Sequence, residues 1–169
     1  MKLAGIMAAS FGITLKRFVV VAILSMPLNH HAFAQSCNVG TTSESATSYA
    51  SKSSAELTTI INQNVQRQGP NGIGPIGVSG CIISWENNHA YASVDARAIT
   101  GSSCEIFQGA MIFHPLAKAE AVLFRPKSGS APLRIDFGSF HIPNHDPNRY
   151  WRVKLAFDAL AKQIASSCR

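Results

Sequence analysis

The C-terminal segment from Asp146 to Cys168 constrains the fold most strongly, because it has the pattern of a long amphipathic helix. Asp146 is a favourable N-cap, since its side chain accepts a hydrogen bond from a free backbone N–H. Pro147 suits the first helical position, where no N–H is needed. A single helix cannot bury its own apolar stripe, so the rest of the chain must supply a matching apolar surface. The stripe consists of Tyr150, Val153, Phe157, Leu160 and Ile164.

The first 34 residues have the pattern of a secretory signal peptide. A basic pair at positions 16 and 17 precedes an apolar run from Phe18 to Leu28, and Ala32 and Ala34 are the small residues that a signal peptidase requires. The apolar run is too short to span a bilayer, which takes about 20 residues. We therefore expect cleavage after Ala34 and a mature protein, residues 35–169, that is periplasmic or secreted without a stable membrane anchor.

The predicted mature chain has the size and charge of one ordinary exported domain. Removing 34 of 169 residues leaves 135, enough for a single hydrophobic core. Three of the fifteen basic residues lie in the signal, so the net charge falls from +6 to twelve minus nine, or +3. The remaining basic residues are dispersed, which argues against a nucleic-acid partner.

Four cysteines lie in the mature chain, and an even number in an exported protein predicts two disulfides. The alternative is a zinc site, but the sequence has no Cys-x-x-Cys spacing. No metal or other cofactor is therefore expected. The cysteines are Cys37, Cys81, Cys104 and Cys168.

The N-terminal part of the mature chain predicts a loose arm and a second helix. Residues 35–48 are rich in Ser and Thr, and we expect them to form a loose N-terminal arm. Apolar residues at helical spacing predict a helix over about 43–68. Gly69 and Pro70 end it. A glycine-rich loop then connects the predicted helix to Cys81.

Residues 81–99 predict a β-hairpin whose two-residue turn is Asn87-Asn88. This register pairs Glu86 with His89 and Trp85 with Ala90. It also gives the hairpin one apolar and one polar face. The apolar face collects Cys81, Ile83, Trp85, Ala90, Ala92, Val94, Ala96 and Ala98.

After a turn around Gly101-Ser102, a third strand is expected to end at Pro115, and a last strand is expected to run from Leu133 towards Ile142. The stretch from Ala117 to Arg125 fits helix or strand, and Val122-Leu123-Phe124 favours strand. The predicted fold is therefore α+β. It is an antiparallel sheet of four or five strands with an N-terminal and a C-terminal helix packed on one face, cross-linked by disulfides.

The disulfide pairing is where sequence proximity and strand register disagree. Proximity favours Cys81–Cys104 with Cys37–Cys168. The register places Cys81 and Cys104 about 16 Å apart on opposite faces of one sheet, too far for a bridge. It therefore favours Cys104–Cys168 with Cys37–Cys81.

The best candidates for chemistry are His141, His145 and Asp146, where the last strand meets the last helix. Two imidazoles and a carboxylate can bind a metal or exchange protons. Pro143 prevents the helical spacing that would place both histidines on one face, and Asp146 already has a capping role. A structural junction is the favoured interpretation. Glu86 and His89 form a second candidate pair beside the hairpin turn.

The sequence favours an exported, non-catalytic domain that binds a protein or a small ligand. Enzymes of this size usually show a compact set of nucleophile, base and orienting acid, and none is apparent here. The alternative is a small periplasmic hydrolase with His141 or His145 as general base. Binding is expected at the glycine-rich loop before Cys81 or on the polar sheet face, whose predicted binding residues are Tyr91, Asp95, Arg97 and Gln108.

Export is expected to remove residues 1–34. The intact mass of the protein recovered from its producing cells should correspond to a chain that begins at Gln35, because Ala32 and Ala34 mark the cleavage site. A mass that retains the basic and apolar segments would contradict the prediction.

Overall fold

The computed structural model describes residues 44–69, 72–107, 110–136 and 138–168, except for the Phe107 side chain. These residues belong to one compact unit of the chain. The predicted signal peptide, most of the predicted arm, Cys37 and Gln108 lie outside the described residues. Within them the predicted α+β class is confirmed, with antiparallel sheets and helices towards both ends.

The described part of the chain forms three α-helices and eight β-strands. Its helices are α1 (Ala46–Ala50), α2 (Ser54–Asn64) and α3 (Pro147–Ser167). Its strands are β1 (Gly77–Ser79), β2 (Ile82–Glu86), β3 (Ala90–Asp95), β4 (Ile99–Phe107), β5 (Ala110–Ala117), β6 (Val122–Pro126), β7 (Leu133–Ile135) and β8 (Phe140–Ile142). Among these helices, none is both long and apolar enough to cross a membrane.

The predicted C-terminal helix is confirmed at both ends. Asp146 Oδ1 accepts hydrogen bonds from the backbone N–H groups of Asn148 at 2.9 Å and Arg149 at 3.4 Å. Cys168 is the C-cap. All five residues of the predicted stripe are buried: Tyr150, Val153, Phe157, Leu160 and Ile164.

The helix predicted over 43–68 is wrong in its extent, because it divides into α1 and α2. Ser53 has an extended backbone between them, and its hydroxyl accepts a hydrogen bond from the Glu56 N–H. The Glu56 carboxylate in turn accepts from the Ser53 N–H at 2.8 Å. This reciprocal capping box starts a new helix, so the serine-rich segment is not one continuous helix.

The strands divide between two antiparallel sheets. One has five strands in the order β1-β2-β3-β6-β7, and the other has three in the order β4-β5-β8. A single 3₁₀ turn, Ala96–Ala98, leads from β3 into β4 and so from one sheet to the other. The favoured strand after Ala117 is confirmed as β6. The predicted turn at Gly101-Ser102 and the predicted strand end at Pro115 are wrong, because these residues lie within β4 and β5, where Ser102 pairs with Pro115. The single strand predicted over 133–142 is wrong, because β7 pairs with β6 and β8 pairs with β5.

The hairpin register differs from the prediction by two residues. Asn87 Oδ1 accepts hydrogen bonds from the N–H groups of His89 at 2.8 Å and Ala90 at 2.7 Å. The Asn87 N–H donates to the Ala90 carbonyl at 2.9 Å. Asn87 and Ala90 therefore face each other, and the turn itself is Asn88-His89. Glu86 consequently lies opposite Tyr91 and not opposite His89.

A shift of two residues leaves every side chain on its predicted face, because the side-chain period of a strand is two. The five residues of the predicted apolar face that lie on β2 and β3 are accordingly buried: Ile83, Trp85, Ala90, Ala92 and Val94.

An aromatic cluster joins α3 to both sheets. The Phe157 ring lies 5.5 Å from Phe113 of β5 and 5.7 Å from Phe140 of β8, measured between centroids. Trp85 of the five-stranded sheet lies 5.1 Å from Phe140, edge to face. Phe113, Phe140 and Phe157 have no exposed surface. The cluster is therefore the centre of the core.

Cys81 is bonded to Cys168, with 5.7 Å between their Cα atoms. Both predicted pairings are therefore wrong. The register argument assumed that Cys81 and Cys104 belong to one sheet, but Cys104 lies on β4 of the other sheet. Cys81 precedes β2, where its carbonyl accepts a hydrogen bond from Ala96 at 2.9 Å, and α3 packs on the 3₁₀ turn that Ala96 begins. Cys104 is also disulfide-bonded.

Replacing Phe157 with Ala should lower the free energy of unfolding by about 3–5 kcal/mol, because the loss of a fully buried ring leaves a cavity in the aromatic cluster. Urea denaturation measures this change. Lys162→Ala, on the exposed side of the same helix, is the matched control and should change it by less than about 0.5 kcal/mol. Similar values for the two variants would show that the cluster is not the centre of the core.

Non-reducing peptide mapping should recover a peptide pair that joins Cys81 to Cys168. The bond closes a loop of 87 residues, which corresponds to about 4–5 kcal/mol of stability in the chain-entropy model. The double variant Cys81→Ser/Cys168→Ser should therefore unfold at markedly lower urea concentration. Recovery of a Cys81–Cys104 or Cys104–Cys168 peptide would contradict this pairing.

Candidate functional site

The three candidates at the junction before α3 do not form a common site. His141 lies half-buried on β8, and burial, followed by the nearby charge of His114, lowers the pKa of its imidazole. His145 is exposed in the 3₁₀ turn that follows. Asp146 caps α3 and lies 3.6 Å from Arg149. Among the described residues, no hydrogen bond joins these three side chains, so the junction is structural in its contacts.

Two of the predicted binding residues bind each other. The Arg97 guanidinium donates to the Asp95 carboxylate, with 2.6 Å between Nη2 and Oδ2. These side-chain hydrogen bonds, together with the one from the Arg97 backbone, lower the pKa of Asp95 to about 2. The pair lies where β3 enters the 3₁₀ turn, and Gln108 lies outside the described residues. Tyr91 is therefore the predicted binding residue that is left to contact a ligand.

The outer face of the five-stranded sheet contains a groove, which follows from the strand register. Side chains on an antiparallel sheet form rows perpendicular to the strands. One row contains only small side chains on its first three strands, Gly77, Ser84 and Ser93. The adjacent row contains large ones, Glu86, Tyr91 and Arg125. The small row is the floor of the groove and the large row is one wall.

The groove, which we call the outer groove, has a volume of about 310 Å³. Tyr91 projects beside it with 54% of its surface exposed. The Lys127 ammonium lies 4.9 Å from the centre of the Tyr91 ring and 3.5 Å from the Glu86 carboxylate. These contacts orient the tyrosine ring as a flat wall. The predicted contact of Glu86 with His89 is wrong, because Lys127 is the partner of Glu86.

Arg125 provides the electrostatic feature of the outer groove. It is exposed, and it forms no ion pair with any residue in the described ranges. A guanidinium presents several N–H donors in a planar fork that matches a carboxylate or phosphate. Sequence reasoning missed Arg125, because only the pairing of β3 with β6 brings it beside Tyr91.

A buried cluster around His114 was also missed by sequence reasoning. His114 Nδ1 lies 2.9 Å from the Gly138 carbonyl oxygen, and Nε2 lies 2.7 Å from Glu105 Oε2. Ser139 Oγ lies 3.2 Å from Nδ1. No local sequence motif predicts the His114 cluster, because it forms only when β4 and β8 pair with the two edges of β5.

The combination of Ser139, His114 and Glu105 contains the residue types of a nucleophile, a base and an orienting acid, but its hydrogen bonds do not fit that chemistry. A carbonyl oxygen and a carboxylate oxygen only accept hydrogen bonds. His114 Nδ1 therefore carries a hydrogen and donates to the Gly138 carbonyl. A nitrogen that donates to Gly138 has no lone pair to take a proton from Ser139. The cluster instead fastens β4 and the Gly138 segment to β5.

The described residues contain no group of three or more His, Cys, Asp or Glu side chains with the geometry to hold a metal ion.

Comparison with known proteins gives no further guidance. The chain matches no protein-family model, and no curated protein and no solved structure is significantly similar to it. Function is therefore argued from the outer groove and its chemistry.

Replacing His114 with Gln should lower the free energy of unfolding by about 1–3 kcal/mol, because one amide group cannot hydrogen-bond both Gly138 and Glu105 from the same position. Urea denaturation measures the change. His145→Gln is the matched control, since His145 is exposed, and its effect should stay within about 0.5 kcal/mol. If both variants are as stable as the wild type, the cluster does not fasten the sheet.

Proposed function

We propose that the protein is an exported, non-catalytic domain that binds a small ligand in the outer groove. The proposed ligand carries a carboxylate and a flat apolar portion. The observation that carries this proposal is the guanidinium of Arg125, which has no ion-pair partner among the described residues. It lies beside the exposed ring of Tyr91, at the wall of a groove with a floor of small side chains.

The charge distribution supports an anionic group on the ligand. Lys127 lies against Glu86 at 3.5 Å, so these two charges largely satisfy each other. Arg125 has no such partner in the described part of the chain and adds an uncompensated positive charge at the groove. A carboxylate bound there would form charge-assisted hydrogen bonds, which are stronger than neutral ones.

The dimensions of the outer groove support a small ligand. Its volume of about 310 Å³ lies at the lower end of the usual range for small-molecule sites, about 300–1,000 Å³. The hydroxyl groups of Ser84 and Ser93 on the floor offer hydrogen bonds to polar parts of a ligand. The Tyr91 ring offers a face for stacking.

Export is part of the proposal and rests on two observations. The first is the basic and apolar N-terminal sequence followed by small residues. The second is the Cys81–Cys168 disulfide, since structural disulfides persist mainly in oxidising compartments. Both are compatible with a periplasmic or extracellular binding protein.

A small periplasmic hydrolase is the alternative, and the contacts support it less. His141 and His145 have no nucleophile or orienting acid within hydrogen-bond distance in the described ranges. Ser139 lies beside His114, but it faces a ring nitrogen that already donates to the Gly138 carbonyl.

The proposal predicts that benzoate binds the mature protein and that benzyl alcohol, a neutral molecule of similar size, binds at least about tenfold more weakly. Two-dimensional ¹H–¹⁵N NMR titration measures both affinities. The amide signals of Ser84, Tyr91 and Ser93 should shift saturably with benzoate. Arg125→Gln should reduce the benzoate affinity to that of benzyl alcohol, because the charge-assisted hydrogen bonds are lost.

Arg97→Gln is the matched control. Arg97 is also exposed at this sheet, but it is already paired with Asp95 at 2.6 Å. Its replacement should leave the benzoate affinity unchanged. Equal affinities for benzoate and benzyl alcohol, or an equal loss in both arginine variants, would contradict the proposed site.

A further inference from the structure

A second concave site lies on the opposite, inner face of the five-stranded sheet, and we call it the inner cavity. It has a volume of about 220 Å³ and lies between the sheet and the Gly138-Ser139 segment. Its side walls include Trp85 and Phe124, and its floor includes Ala92. Trp85 and Ala92 line both sites, because they lie on the strands that separate the inner cavity from the outer groove.

The inner cavity exists because small residues stand between large ones. Ala92 lies between Trp85 and Phe124 in the cross-strand row, so a methyl group separates two aromatic rings. Gly138 lies directly over Trp85, where an added Cβ would come within 2.6 Å of the indole ring. The backbone at Gly138 thus approaches the tryptophan closely and closes one side of the cavity.

The cavity is accessible from one side. Phe124, Ile135, Asn87 and Ser139 all line it, and each is partly exposed, whereas Trp85, Ala92 and Val122 are buried. A small molecule therefore has a path to the cavity along the partly exposed side.

Two polar groups interrupt the apolar lining. The Asn87 side-chain oxygen is used by the N–H groups of His89 and Ala90, and its Nδ2 has no acceptor among the described residues. The Ser139 hydroxyl lies 3.2 Å from His114 Nδ1. Because that nitrogen donates, the hydroxyl hydrogen of Ser139 remains available for another acceptor.

We propose that the inner cavity binds a small aromatic molecule of one ring that bears one hydroxyl group. A dry apolar cavity of about 150 Å³ is sufficient for benzene, so this one accommodates a ring with a substituent. The ring packs between Trp85 and Phe124 over Ala92. The ligand hydroxyl accepts from Ser139 or Asn87, which is the specific contact in an otherwise apolar site.

The test compares phenol with toluene, which has nearly the same shape but no hydroxyl. In ¹H–¹⁵N NMR titrations of the mature protein, phenol should saturably shift the Trp85 indole N–H and the amides of Ala92 and Ser139. Toluene should bind at the same position but about three- to tenfold more weakly, because the polar groups remain without a partner. Ser139→Ala should reduce this preference for phenol.

Ala92→Leu should abolish binding of both probes, because the larger side chain fills the space between the rings. Ala92→Val, a smaller change, should weaken both if the leucine variant does not fold. Arg125→Gln should leave phenol binding unchanged, which separates this site from the outer groove. Absence of saturable shifts with either probe in the wild type would overturn the proposal. Unaltered affinities in folded Ala92→Leu or Ala92→Val would also overturn it.

Discussion

The structure depends on the burial of one face of α3 against an aromatic cluster that reaches both sheets. Phe157 contacts Phe113 and Phe140 of the three-stranded sheet, and Phe140 in turn contacts Trp85 of the five-stranded sheet. Because these side chains are almost fully buried, each sheet is fixed relative to the helix by packing. The Cys81–Cys168 bond adds a covalent link between the end of α3 and the start of β2.

This arrangement determines which surfaces are available for function. Most apolar side chains of the five-stranded sheet face inward, so its outer face carries mainly polar and small residues, with Ile82 and Leu123 as large apolar ones. The strand register then places Gly77, Ser84 and Ser93 in a row beside Tyr91 and Arg125. The outer groove is therefore mainly a consequence of side-chain sizes along neighbouring rows, and Pro75, which precedes β1, also lines it.

The same register explains the inner cavity, since Ala92 stands between Trp85 and Phe124 on the other face. A sheet alternates its side chains between two faces, and a small residue on either face leaves a depression there. The His114 cluster has a separate role. It fastens the Gly138-Ser139 segment to β5 through a buried imidazole, and that segment is one side of the inner cavity.

Local pattern by itself determined the helix from Pro147 to Ser167, the α+β class and the faces of the first hairpin. These features depend on residues close in sequence, namely a capping aspartate, a helical stripe and a period of two. The hydrogen bonds of the Asn87 side chain fix the hairpin register. The observed turn is therefore Asn88-His89 and not Asn87-Asn88, and both faces of the strands keep their predicted residues. Only the tertiary structure decided the division into two sheets, the partner of Cys81 and the meeting of Tyr91 with Arg125. Each of these depends on how distant parts of the chain come together after the turn at Ala96–Ala98. Such long-range contacts are selected by the packing of the whole core. A local sequence pattern does not encode that packing.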